Sequence, residues 1–88
     1  MSEHELKLDA NFFDAVLSGD KPFEVRKNDR GFQKGDSVLF KETIDGQYYC
    51  TYRRATAVIT YVLSGWGIEN GYVVFGITDV QELEDGEE

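Results

Sequence analysis

Lys21, Glu24 and Arg26 stand close together in the segment Ser-Gly-Asp-Lys-Pro-Phe-Glu-Val-Arg-Lys, residues 18–27. Side chains alternate between faces along an extended chain. Glu24 and Arg26 therefore share a face with Cα atoms about 6–7 Å apart, and Lys21 enters the same stretch from the turn before it. The three groups suit a nucleotide: Arg26 offers a planar fork for phosphate or a base edge, Lys21 a compact cation, and Glu24 an acceptor for an exocyclic amine. The competing account is a Glu24–Arg26 ion pair on a solvated strand face, contributing only about 0–1 kcal/mol. Trp66, in Gly65-Trp66-Gly67, adds a further ligand candidate. An indole there stacks a base for about 1–3 kcal/mol, or else serves as a lid on the core.

The elements around these residues are legible from periodicity. Residues 5–8 alternate polar and apolar and predict a first strand. Asp9 is a good helix N-cap, the i,i+4 pairs Phe12/Val16 and Phe13/Leu17 predict an apolar helix stripe, and Gly19 predicts its end. From Pro22 the period becomes two, with Phe23 and Val25 on one face and Glu24 and Arg26 on the other, which predicts a half-buried strand. Lys34-Gly35-Asp36 reads as a turn before a strand holding Val38, Leu39 and Phe40, and Asp45-Gly46 as a hairpin signal. The stretch from Tyr48 to Leu63 is rich in β-branched and aromatic residues and too long for one straight strand, so a bend is expected near Arg53-Arg54. A glycine-rich loop covers residues 65–71, and Tyr72 to Val80 forms a last strand. The fold class that follows is mainly β (α+β): a small barrel of about five to six strands with one short helix near the N-terminus, because closure removes exposed sheet edges. Residues 1–80 form the domain, and 81–88 form an acidic tail expected to be disordered.

Charge sharpens this picture. The net charge is −8, which disfavours a polyanionic partner at first sight. Five of the 17 acidic residues (Glu82, Glu84, Asp85, Glu87 and Glu88) lie in the tail, however, and leave 12 acids against nine bases. Five of those bases (Lys21, Arg26, Lys27, Arg30 and Lys34) fall within residues 21–34, which makes a local basic patch. Arg53-Arg54 is read either as further phosphate contacts or as a solvated bend. Tyr48, Tyr49 and Tyr52 are read as barrel wall and His4 as exposed. Cys50 is the only cysteine, so it forms no intrachain disulfide and no zinc cluster. It is expected to be a buried small hydrophobe. Neither a signal peptide nor a run of about 18 apolar residues is present, so a cytoplasmic protein without membrane attachment is expected. No metal and no cofactor are expected.

The pattern Gly-x-Lys-x-x-Glu-x-Arg at Gly19, Lys21, Glu24 and Arg26 resembles the signature of ASCH domains, a branch of the PUA-like superfamily. A wider set is similar to the small bacterial and phage family called domain of unknown function 3850. It comprises residues 4–8, 12–19 and 23–30 together with Phe32, Gly35-Asp36 and Gly71-Tyr72-Val73-Val74. The resemblance spans nearly the whole chain apart from the tail and implies an ASCH-like, PUA-like β-barrel with a helix beside its cleft. Relatives in that superfamily are linked with RNA and modified bases. One small group hydrolyses the amide of 4-acetylcytidine with a Lys and a Thr in this segment plus a distant Glu. Lys21 matches that Lys, but Glu24 occupies the Thr position and is no hydroxyl nucleophile.

The expected function is therefore an RNA- or nucleotide-binding module in which Lys21, Glu24, Arg26 and Trp66 hold the ligand, acting as a monomer. The first alternative is a small hydrolase of a modified nucleoside, with Glu24 as general base and Lys21 stabilising developing negative charge. The second is a phage or bacterial protein-interaction module whose acidic tail meets a basic partner.

Overall fold

Asp9 ends a strand and starts a helix in one residue. Its backbone is extended (φ −62, ψ 144) and its Oδ1 accepts from Asn11 N at 2.8 Å, which satisfies one of the open N–H groups of the first helical turn. The helix ends at Gly19, whose φ of 89 is open to a residue without Cβ and whose N–H donates to Val16 O at 3.3 Å. The computed structural model, which describes residues 1–44 and 49–83, has the order β1 (Glu3–Asp9), α1 (Ala10–Ser18), β2 (Phe23–Lys27), β3 (Ser37–Ile44), β4 (Tyr49–Leu63) and β5 (Tyr72–Leu83). The Asp45-Gly46 hairpin signal, Tyr48 and residues 84–88 lie outside the described residues.

The five strands form one sheet in the order β1-β3-β4-β5-β2, with β1 parallel to β3 and the other pairs antiparallel. This is the mainly β inventory with one short helix that the sequence predicts. The sheet curls into a half-barrel, and β1 and β2 are its two edges. Their backbones do not pair. Two guanidiniums bridge the seam instead: Arg26 Nη2 donates to Lys7 O at 2.7 Å and Arg30 Nη1 donates to Glu5 O at 2.9 Å. Side chains thus occupy acceptors that an unpaired edge would otherwise offer to another chain.

The long fourth strand bends where expected. The β3–β4 register shifts between Lys41 and Thr43, opposite residues 51–53 of β4. Further shifts against β5 fall between Thr56 and Val58 and between Ile59 and Tyr61. At the second of these the strands approach closely, since a Cβ on Gly76 would lie 2.6 Å from Thr60 Oγ1. β5 continues to Leu83, three residues past the expected domain end, and places Glu82 opposite Ala55.

The core lies on the concave face of the sheet under α1, with Phe13, Phe40 and Phe75 fully buried. The helix buries Phe13 and Val16, an i,i+3 pair, and leaves Phe12 47% exposed, so the predicted stripe is rotated. Tyr49 and Tyr52 lie in the wall strand β4 with their rings exposed, and Cys50 is exposed rather than buried. These residues lie at the start of β4, near the bulge that breaks the inside-outside alternation.

His4 is buried, contrary to the expectation for a residue so near the chain start. The inward alternation of β1 carries it beside Leu6, where its ring meets Phe32 edge-on at 4.8 Å. Its Nε2 lies 2.8 Å from Asp36 Oδ2, and an ionised carboxylate only accepts, so His4 donates. Asp36 also accepts from Ser2 N and Gln33 N, each at 3.0 Å. The Ser2 amide first, and then the His4 ring, hold the Asp36 carboxyl below its ordinary pKa against the opposing effect of burial.

A carboxyl whose pKa is depressed by folding stabilises the fold above its unfolded pKa, about 3.9, and loses that contribution as pH falls through the lower folded value. Asp36→Asn is therefore expected to lower the melting temperature at neutral pH and to flatten its fall below about pH 4. Melting curves from neutral to acid pH check this; an acid limb as steep as the wild type would contradict it.

Candidate functional site: the seam between the edge strands

The alternation of β2 is inverted relative to ordinary hydrophobic patterning. Phe23 and Val25 point outward, 41% and 52% exposed, while Glu24 points inward and is 3% exposed. The pairing of β2 with β5 fixes this choice by setting Glu24 opposite the fully buried Phe75. Glu24 is thus a desolvated carboxylate at the barrel edge and not half of an ion pair on a solvated face.

Two cations balance it. Lys21 Nζ donates to Glu24 Oε2 at 2.5 Å, and Arg26 Nε donates to Oε1 at 3.0 Å. Lys21 is placed by the helix end, where its N–H donates to Ala15 O at 3.0 Å. Its ammonium also donates to Phe23 O at 3.1 Å and lies 5.2 Å from the Phe12 ring and 5.1 Å from the Phe23 ring. Arg26 is fixed from the other side by Lys7 O. With one carboxylate between two cations, the cluster carries a net positive charge.

Above it opens a cleft of about 390 Å³ bounded by Lys7, Asp9, Phe12, Lys21, Glu24 and Arg26. The structure therefore brings together three of the four predicted ligand residues. Trp66 is not among the lining residues; it is 91% exposed, with φ 55, in the turn between β4 and β5. Phe12 and Asp9 are lining residues that sequence reasoning did not single out. Phe12 was hidden inside an apolar helix stripe and Asp9 behind its capping role. The described side chains lining the cleft are carboxylates, cations and apolar groups, with no hydroxyl or thiol of the kind covalent acyl transfer uses.

Arg53 is committed elsewhere. Its guanidinium pairs with Asp14 of α1 and Glu82 of β5, each at 3.0 Å, and with the buried Glu42 of β3 at 3.4 Å. It also lies 4.7 Å from the Phe13 ring. The Glu82 bond, ahead of the Asp14 bond, raises its pKa above the ordinary value while burial opposes. Arg53 thus pins three elements together, and Glu82, expected in a disordered tail, is one of its anchors. Arg54 Nη1 donates to Thr51 O and Arg53 O at 2.7 and 3.0 Å.

A curled five-stranded sheet with one short helix and a charged cleft at the seam between its two edge strands defines a small, mainly β domain. The chain belongs to the family described as Domain of unknown function (DUF3850), whose profile matches residues 3–77. It is 45% identical over 65 residues to the "Uncharacterized 12.9 kDa protein in GpA 3'region" of Escherichia phage P2, a match covering 72% of this chain and 58% of the phage protein. No helix among the described residues is long and apolar enough to cross a membrane.

Proposed function

We propose that the chain is a nucleotide- or RNA-binding module whose seam cleft receives a base and its phosphate. The observation that carries this reading is the nearly complete burial of Glu24 between Lys21 and Arg26 at the base of an open cleft. Charges withdrawn from water rarely stabilise a fold as well as apolar residues of the same size would, so such a cluster is best accounted for by recognition. Phe12 supplies an aromatic wall, Arg26 retains donors beyond those used on Glu24 and Lys7, and Glu24 retains lone pairs for an amine. The likeness to ASCH and PUA-like proteins, carried by Gly19, Lys21, Glu24 and Arg26, supports the same reading, and the single Cys50 fits a reducing, cytoplasmic setting. The hydrolase alternative would act through Glu24 as general base on a water, since the lining offers no hydroxyl or thiol.

Arg26→Ala is expected to keep the fold, because Glu24 retains Lys21, and to weaken RNA or nucleotide binding by about 1.5–3 kcal/mol, tenfold or more. Calorimetric titration beside a melting curve reads both quantities. Affinity equal to the wild type with the fold intact would remove the cleft as the binding site.

A further inference from the structure

A second cleft, of about 530 Å³, adjoins the first along the same seam and shares Lys7 and Arg26 with it. Its other charged lining residues are Glu5, Arg30 and Lys41. Among the described lining residues four cations therefore face one carboxylate, which is paired with Lys41 at 3.0 Å; from outside the cleft lining, Glu24 pairs with Arg26 at 3.0 Å and Asp29 lies 3.8 Å from Arg30. Two of the cations are anchored to the backbone of β1. Arg26 and Arg30 are tied to the carbonyls of Lys7 and Glu5, two residues apart on β1, which places their anchor points about 6–7 Å apart. That spacing is of the order of the separation between successive phosphates in an extended single strand. The same bonds speak against an added peptide strand, which would need those β1 carbonyls for itself.

Resting on the nucleotide-binding reading above, we propose that the second cleft is a phosphodiester subsite. The ligand is then a single-stranded oligonucleotide, not a lone nucleotide: one base and its own phosphate sit in the Lys21–Glu24 cleft beside Arg26, and the next phosphate along the strand lies on Arg30 and Lys41. Arg26, which lines both clefts, marks the crossing point. Arg30 and Lys41 set affinity for length and take no part in holding the base.

The test compares a mixture of nucleoside monophosphates with a mixed-sequence RNA tetranucleotide, on the wild type and on the double variant Arg30→Gln/Lys41→Gln, at several salt concentrations. The wild type is expected to bind the tetranucleotide at least tenfold more tightly than the monophosphates. The double variant should lose that gain, keep its monophosphate affinity, and show a logarithmic salt slope smaller by about 0.7 for each phosphate contact removed. Monophosphate binding without a gain from the tetranucleotide, or a gain that survives in the double variant, would overturn the subsite and leave the base cleft standing. Binding of neither probe by the wild type would overturn the base-cleft reading and this inference with it.

Discussion

Glu24→Ala is expected to destabilise the protein by about 3–5 kcal/mol, a large part of the 5–15 kcal/mol typical of a whole domain. The loss has two sources. Lys21 and Arg26 are left in a partly desolvated cleft without their counter-charge, their side chains being only 20% and 22% exposed. The space opposite Phe75 is also emptied. Apolar replacement of the whole cluster, Lys21→Met/Glu24→Leu/Arg26→Met, should behave differently. With no charge left to desolvate, stability is expected to match or exceed the wild type by up to about 4 kcal/mol, while ligand binding disappears. Urea denaturation of both variants reads the stability terms. A Glu24→Ala variant as stable as the wild type would show that the carboxylate is not withdrawn from water.

Phe75→Ala should have an effect of similar size for a different reason. Phe75 is fully buried, its ring centroid lies 4.9 Å from that of Phe32, and Phe32 in turn meets His4. Truncating it removes apolar contact and leaves a cavity that the strands can only partly close, at an expected cost of about 3–5 kcal/mol. The cavity opens beside Glu24, so hydrogen exchange of β2 amides should accelerate more than that of β3 amides, which lie two strands away from β5. A stability loss below about 1 kcal/mol would mean that the site collapses, and would place the core elsewhere.

The parts of the fold legible in the sequence are those set by local chemistry. Asp9 and Gly19 bound the helix as their capping preferences require, and strand alternation locates β1, β2 and the start of β5. The bend in β4 follows from its length. The Lys21, Glu24, Arg26 cluster is visible because all three residues lie in one turn and one strand. What escapes is decided by pairing between distant segments. Period two gives β2 two faces without saying which is inner, and hydrophobicity points to Phe23 and Val25 where the β5 pairing turns Glu24 inward. His4 meets a partner 32 residues away, and the carboxylates around Arg53 come from α1, β3 and β5. Trp66 has a composition suited to stacking but sits on a turn that the cleft does not include. The second cleft exists only because the two sheet edges curl toward each other.

The central claim, that the seam between β1 and β2 holds a nucleotide, is tested most directly by an NMR titration of the labelled protein. Mixed short RNA and a panel of normal and modified nucleosides would be added while backbone amides are followed. The account predicts shifts clustered on residues 7–12 and 21–30, with the Trp66 turn changing little. Shifts confined to residues 61–67, or none at millimolar RNA and nucleoside, would contradict it.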